Sequence, residues 1–162
     1  MRIVKDQQIV EDGWVRVADG EALPATGSVI VTLTRWQSEK DALLARKTPL
    51  GLQLKSDQEP ESIASDVTHF QLIAVEFPKF TDGRGYTTGR LLRERFGFKG
   101  ELRAVGHVLR DQMFYMWRCG FNAFELPQGK SLDDALTAYK DFSVTYQPAA
   151  DDQRPLFRRV QR

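Results

Sequence analysis

Cysteine is almost absent from the chain, because Cys119 is the only one. A single cysteine excludes an intrachain disulfide, a CxxC redox pair and a metal site built from cysteines alone. Histidine is nearly as rare, and His69 and His107 form neither an HxH nor an HExxH spacing, so we predict no metal site. The sequence also lacks a dinucleotide fingerprint, an Fe–S cysteine set and a haem motif, and it therefore assigns no cofactor.

An excess of charge of one sign is also missing. The chain has 23 lysines and arginines against 22 aspartates and glutamates, and its formal net charge is +1. Such a balance indicates neither nucleic acid nor an acidic membrane surface as a partner. No apolar run is long enough to cross a membrane, and the first ten residues lack the apolar centre of a signal peptide. We therefore predict a soluble, cytoplasmic protein, whose 162 residues form a single domain.

What the sequence does contain is an alternation of apolar, β-rich runs with segments of helical period. This alternation is typical of repeated strand–helix units around a parallel sheet. Five strands are predicted to begin at Val29, Pro49, Leu72, Glu101 and Asn122. The run SVTYQ, residues 143–147, is a candidate sixth strand.

Helices are predicted between these strands. The first is expected to begin at Ser38, the second to cover residues 59–70 and the third to begin near Thr87. A fourth helix has the clearest apolar stripe, formed by Leu109, Met113, Met116 and Trp117. The last follows Ser131 and places Leu132, Ala135, Leu136, Tyr139 and Phe142 on one stripe.

The fold class is thus α/β, with five to six parallel strand–helix units at residues 28–148. Their spacing suits a partial (β/α) barrel or an open parallel sheet, and the short crossovers favour the barrel-like form. Residues 1–27 are expected to form an N-terminal β-hairpin with Asp12-Gly13 as its turn, followed by a linker. Residues 149–162 read as a tail that packs through Leu156 and Phe157. The open edge of the sheet would need covering by the hairpin or by a second copy of the chain, as in a homodimer.

The stretch FPKFTDGRGYTTGRLLRERF, residues 77–96, is the most informative loop region. In both candidate folds it lies at the carboxyl ends of parallel strands, where binding sites form. Gly83 and Gly85 would allow backbone conformations closed to other residues. They would also let N–H groups approach a ligand at the start of a helix.

Arg84 offers a planar, bidentate donor between these glycines, and Lys79 and Thr87 add a second positive charge and a hydroxyl. Together they predict a loop at residues 82–88 that binds an oxyanion or a phosphate. Asp82 opposes a simple anion site, since it would cap the turn, pair with Arg84 or serve as an acid–base group.

The alternative is purely structural. Asp-Gly-Arg-Gly is ordinary turn chemistry, and neither a GxGxxG motif nor a P-loop is present. Arg90, Arg93 and Arg95 are then the solvated face of a helix.

Other polar residues follow the predicted strands and would meet at the same edge of the sheet. They are Arg35, Asp57, Glu76, His107 and Glu125. Asp111 and Gln112, at the start of the fourth helix, are a further candidate acid–base group and a candidate ligand contact. Cys119 is expected to be a packing residue.

From Asp82 to Leu126, the sequence DGRGYTTGRLLRERFGFKGELRAVGHVLRDQMFYMWRCGFNAFEL resembles an uncharacterised bacterial family. Its members are labelled as probable oxidoreductases of sulfite reduction, and their genes commonly lie beside that of the sulfite reductase haemoprotein. DFSVTYQ, DGW and RW also match, and the characteristic positions are Asp82, Gly83, Arg84, Gly85, Leu91, Arg93, Gly100, Arg103, Gly106, Asp111, Gln112 and Gly120. His107 and Asn122 depart from the pattern, since relatives often carry aspartate there.

The resemblance implies a role in assimilatory sulfite or sulfate reduction, with sulfite, sulfate or an adenylylated or phosphorylated sulfur metabolite as the ligand. The candidate ligand contacts are then Lys79, Gly83, Arg84, Gly85, Thr87, Arg103 and Gln112, and the candidate catalytic groups are Asp82 and Asp111. Whether the protein is an enzyme stays open. The other hypothesis is a non-catalytic partner of sulfite reductase that supports its assembly or electron supply, with Arg103 as a structural or interface residue.

Overall fold

The structure, a computed structural model, describes residues 1–159 of the chain. Eight strands form one sheet: β1 (Arg2–Lys5), β2 (Gln8–Glu11), β3 (Trp14–Arg16), β4 (Ser28–Thr32), β5 (Leu50–Leu54), β6 (Leu72–Phe77), β7 (Glu101–Gly106) and β8 (Ala123–Phe124). Five α-helices are present in this range: α1 (Leu33–Ala45), α2 (Arg84–Glu94), α3 (Arg110–Arg118), α4 (Leu132–Thr137) and α5 (Leu156–Arg159). Within residues 1–159, no helix has the length and apolar character that crossing a membrane requires.

The strands are arranged in the order β2-β1-β8-β7-β6-β5-β4-β3. Neighbours from β3 to β8 are parallel, whereas β1 runs antiparallel to both β8 and β2. The predicted α/β class and the N-terminal hairpin are therefore confirmed. The prediction of a purely parallel sheet is wrong, because the hairpin joins the same sheet and makes it mixed.

The sheet curls into a half-barrel. Its two edge strands, β2 and β3, are joined only by Asp12 and Gly13. The three Cα–Cα steps of this connection reach at most about 11 Å, while a flat sheet would separate its first and eighth strands by roughly 33 Å. An ion pair also crosses the concave side, where Arg16 Nη1 on β3 lies 3.2 Å from Oε1 of Glu125 after β8.

The main hydrophobic core lies between the sheet and the helices. Since alternate residues of a strand face opposite sides, Val29 and Val31 of β4 pack into this core with Trp36 and Leu43 of α1. A smaller cluster lies on the other face of the sheet and contains Ile30, Leu72, Ala74 and Val105, with Trp14 packed against it.

The half-barrel also encloses a charged network centred on Arg103, whose side chain is fully buried. Its Nη1 and Nη2 atoms donate to the two Asp12 carboxylate oxygens at 2.9 Å each, and its Nε donates to Glu101 Oε1 at 2.7 Å. Lys5 lies 2.8 Å from Glu101 on its other side. Arg103 thus ties the middle of β7 to the short connection between the two sheet edges.

The hairpin turn differs from the prediction. It lies at Asp6-Gln7, with φ of 48° and 61°, because β1 pairs with β2 in a register that sets Lys5 opposite Gln8. Asp12-Gly13 instead leads into β3, which is a separate strand at the far edge of the sheet.

The first helix also begins earlier than predicted, at Leu33 instead of Ser38. Thr32 supplies the cap, since its Oγ1 accepts a hydrogen bond from the Arg35 N–H at 3.1 Å. The Ser38 signal falls beside a kink at Glu39, where φ is −122° and ψ is 22°.

Residues 59–70 form two 3₁₀ turns, at Pro60–Ile63 and Val67–His69, and not the predicted continuous helix. Asp66 lies between the turns, and its carboxylate accepts from Trp36 Nε1 at 2.9 Å and Lys40 Nζ at 2.7 Å. These bonds to α1 hold the segment in a bent path. The three apolar residues Ile63, Val67 and Phe70 of this segment are nevertheless all buried.

Two predictions for the C-terminal part of the chain are wrong. Residues 143–147 form no strand, because β1 already occupies the position beside β8. In the tail, α5 leaves Phe157 76% exposed, so the expected packing through this residue is wrong. The last three positions of the predicted tail, residues 160–162, lie outside the described residues.

Candidate functional site

The predicted binding loop connects β6 to α2 at the carboxyl edge of the parallel strands. The helix begins at Arg84, earlier than the predicted start near Thr87. Asp82 accounts for this start, because its Oδ1 accepts from the Arg84 N–H at 3.2 Å and so satisfies one of the free donors of the first turn.

Asp82 and Arg84 also form an ion pair through their side chains. Arg84 Nε lies 3.0 Å from Asp82 Oδ1 and Nη2 lies 2.7 Å from Oδ2. The Asp82 side chain is 6% exposed and that of Arg84 is 59% exposed. The hydrogen bonds from Arg84 hold the pKa of Asp82 well below its usual range. Such a carboxylate is unsuited to proton transfer near neutral pH, so its observed role is to orient Arg84.

Arg84 borders a cleft of about 440 Å³ between α2 and the loop after β5. Its Nη2 donates to Ser56 Oγ of that loop at 3.0 Å. The other lining residues are Asp57, Gln58, Glu59, Pro60, Glu61, Thr87, Thr88 and Leu91. The cleft therefore combines a partly exposed guanidinium with hydroxyl groups and with apolar surface.

Three residues of this lining, Asp57, Glu59 and Glu61, carry carboxylates. Their negative charges disfavour the binding of a free oxyanion. Arg84 is the single cationic residue among the lining residues, and it already shares its charge with Asp82. A ligand whose anionic end is joined to a part with several hydroxyl or amino donors suits this charge distribution better than sulfite or sulfate alone.

The two glycines of the loop do not have the predicted conformational role. Gly83 has φ of −90°, and Gly85 is likewise outside the positive-φ region. Gly85 is needed for space, because a Cβ at this position would lie 2.6 Å from the Phe77 ring. The missing side chain lets the first turn of α2 lie directly on the end of β6.

Substitution of each glycine by alanine should show that Gly85 is required for close packing and that Gly83 is not. Gly85→Ala should lower the free energy of unfolding by about 1–3 kcal/mol, since the new methyl group overlaps a buried ring. Gly83→Ala should change it by less than about 0.5 kcal/mol, because the nearest atom to its Cβ would be in Tyr86 at 3.8 Å. Urea unfolding of both variants measures the difference, and equal effects would contradict the steric explanation.

Arg93 was predicted to lie on a solvated face and is instead partly buried. Its Nε donates to the carbonyl oxygen of Gly120 at 2.8 Å, and its Nη1 donates to those of Phe98 and Gly100 at 2.7 and 2.9 Å. Nη2 donates to Asn122 Oδ1 at 3.0 Å. Arg93 therefore fastens α2 to the segments before β7 and β8.

The remaining predicted contacts do not all meet at this cleft. Lys79 lies exposed on the loop, and Arg103 is enclosed in the half-barrel. Gln112 is buried and caps α3, since its Oε1 accepts from the Leu109 N–H at 3.1 Å. Asp111 is exposed and lines a different cleft, of about 340 Å³, between α3 and α4.

The expected convergence of polar residues at the strand ends is also only partial. Asp57 is the member of that set that lines the cleft beside Arg84. Arg35 pairs with Glu39 at 3.2 Å, and Glu125 pairs with Arg16. Ser56, Glu59 and Glu61 were missed, although their place where the second predicted strand leads into the second predicted helix was the available signal.

In a comparison with protein families, residues 51–157 match a model described as a bacterial protein of unknown function, DUF934. Comparisons with curated proteins and with solved structures found no match. The matched range includes α2, the loop before it and every lining residue of the cleft beside Arg84. Because it covers most of the sequence, the chain belongs to the bacterial family of unknown function DUF934.

Proposed function

We propose that this protein is an accessory or oxidoreductase-type protein of assimilatory sulfite or sulfate reduction that binds a sulfur metabolite in the cleft beside Arg84. The main observation that supports this binding site is the position of the Arg84 guanidinium. The Arg84 side chain is 59% exposed at the cleft and is held in place by a nearly buried Asp82. The pathway rests on the sequence resemblance, which is most specific over residues 77–124.

The charges of the cleft favour an adenylylated sulfur metabolite over a free oxyanion. Arg84 would bind the phosphate or sulfate group. The carboxylates of Asp57, Glu59 and Glu61 would accept hydrogen bonds from ribose hydroxyls or from an amino group, as acidic residues do in nucleotide sites. A cleft of about 440 Å³ is in the range of small-ligand sites.

Electron transfer in this role would depend on a bound flavin or on a partner protein. The chain itself offers a single cysteine, and burial raises the pKa of the Cys119 thiol. A buried thiol with a raised pKa is a poor redox nucleophile.

A thermal-shift titration tests this proposal. Adenylyl sulfate should raise the melting temperature of the wild type, since a ligand at one hundred times its Kd stabilises the native state by about 2.7 kcal/mol. For a chain of this size that corresponds to a shift of roughly 5–10 °C. At the same ligand concentration, Arg84→Gln should show about half of this shift or less, because a tenfold weaker Kd leaves about 1.4 kcal/mol of stabilisation, whereas Arg90→Gln should keep the full shift.

Arg90 is a matched control because it lies on the same helix, is 51% exposed and pairs with Glu94 at 3.1 Å. Sulfite, sulfate, phosphate, FMN and NADPH form the other arms of the titration. A shift of the same size in Arg84→Gln would place the ligand elsewhere. No shift with any of these ligands would exclude this cleft as their site.

A second candidate function, a non-catalytic partner of sulfite reductase, is favoured by exposed aromatic residues near α3. Tyr115 is 57% exposed, Phe142 63% and Tyr146 80%. The Phe142 ring lies 4.9 Å from that of Phe114, which anchors it at the surface. Exposed aromatic side chains are enriched at the centres of protein interfaces. Retention of the sulfite reductase haemoprotein on the immobilised chain, without any ligand shift, would favour this function.

A further inference from the structure

A second cleft, of about 570 Å³, lies at the carboxyl ends of β7 and β8. It is bordered by Met1 and Arg2 at the start of β1, by Gly106 at the end of β7, by residues 125–130 and by Leu132. It shares no lining residue with the cleft beside Arg84. This edge of a parallel β/α sheet is where ligands bind in related architectures.

The charge of this second cleft is positive. Arg2 and Lys130 are its cationic side chains, and neither makes an ion pair within the part of the chain that the structure describes. Glu11 lies opposite Arg2 on β2, but it pairs with the N-terminal amine of Met1, at 3.8 Å. Glu125, the one carboxylate of the lining, is held by Arg16 at 3.2 Å.

Lys130 is brought to the rim of the cleft by a tight turn. The Lys130 N–H donates to the carbonyl oxygen of Pro127 at 3.2 Å, and Gly129 has φ of +84°, as the third residue of a type II turn requires. Asp111 and Asp134 border the adjoining cleft on the other side of Lys130, and no ion pair joins either of them to it in residues 1–159.

We propose that this cleft binds the oxyanion group of a small organic ligand, a phosphate monoester in the first instance, between Arg2 and Lys130. Two cations without carboxylate partners supply charge-assisted hydrogen bonds to the oxygens. Leu126 and Leu132 offer apolar surface to the organic part of the ligand. The site is independent of the proposed function and of Arg84.

Titration of inorganic phosphate and phenyl phosphate into the ¹⁵N-labelled protein, followed by ¹H–¹⁵N spectra, tests this site. Both should give saturable shifts at Gly106 and at residues 125–132. The double variant Arg2→Gln/Lys130→Gln should bind at least about tenfold more weakly, which is the loss of a single charge-assisted contact or more. Phenyl phosphate should bind the wild type several-fold more tightly than inorganic phosphate.

Lys99→Gln is the matched control, since Lys99 is exposed and lines neither cleft. It should give the same phosphate-induced shifts at residues 125–132 as the wild type does, even if the proposed function fails. Unchanged affinity in the double variant, with a native spectrum, would overturn the site. Equal affinities for inorganic phosphate and phenyl phosphate would show that Leu126 and Leu132 do not bind the organic part of the ligand.

Discussion

Replacement of Arg103 with alanine should lower the free energy of unfolding by about 3–5 kcal/mol, the usual result of removing one partner from a buried ion pair. Asp12 and Glu101 would be left inside the half-barrel without the guanidinium that satisfies them, and their side chains are only 4% and 6% exposed. The effect should be large because Asp12 lies in the two-residue connection between the sheet edges. Urea unfolding followed by circular dichroism measures it.

An exposed ion pair provides the control for this result. Arg95→Ala removes a contact with Glu61 at 3.4 Å in which both side chains are well exposed, 65% and 43%. This variant should lose less than about 1 kcal/mol. A similarly small loss in Arg103→Ala would mean that solvent reaches Asp12 and that the half-barrel does not exclude water from this network.

The same network gives stability that depends on pH. Burial alone would raise the pKa of Asp12, but its hydrogen bonds with Arg103 outweigh this and hold the pKa below its ordinary value of 3.8. The contribution of Asp12 to stability is therefore complete above the ordinary pKa and is lost as the pH falls through the folded-state value. In Arg103→Ala this part of the acid destabilisation should disappear.

Arg93→Ala should lower the free energy of unfolding by about 3 kcal/mol, since hydrogen bonds to a charged group contribute roughly 1.5–3 kcal/mol each and their loss leaves buried acceptors unpaired. Three backbone carbonyl oxygens and the side-chain oxygen of Asn122 depend on this guanidinium. Arg93→Lys should restore little of the loss, because an ammonium group cannot reach several acceptors with the fixed fork of arginine.

Arg90→Ala is the control for Arg93, since it removes an exposed arginine from the same helix. Its i,i+4 pair with Glu94 should contribute no more than about 0.5 kcal/mol. Comparable losses in the two variants would contradict the fastening role of Arg93. Hydrogen exchange should also show faster opening of the segment before β7 in Arg93→Ala.

The strands from β4 to β8 could be predicted because they are short apolar runs between turn signals. The place of β3 could not, since a three-residue strand can be recognised only from its parallel pairing with β4, which sets Trp14 beside Ser28. The turn at Asp6-Gln7 was missed for a related reason. The pairing of β1 with β2 sets Lys5 opposite Gln8, and β1 is further fixed by pairing with β8, which lies far along the chain; neither contact follows from the local Asp-Gly signal.

The candidate site likewise has features that the sequence predicts and features that only the tertiary structure reveals. Arg84 could be placed at a strand end from the sequence, and a pair with Asp82 is compatible with their spacing of two residues. The steric role of Gly85 depends on the Phe77 ring beneath it, and the burial of Arg93 depends on carbonyl groups from distant segments. Neither property is encoded in local pattern, because a helical period does not reveal which acceptors tertiary packing brings to a charged side chain.

The most direct test of ligand binding beside Arg84 is to titrate adenylyl sulfate into the ¹⁵N-labelled protein and to map the amides that shift. We predict saturable changes at residues 56–61 and 84–91 in the wild type and in Arg90→Gln. In Arg84→Gln, which should keep a native spectrum, the affinity should fall at least about tenfold. Changes confined to other parts of the molecule, or none up to millimolar ligand, would contradict the proposed site.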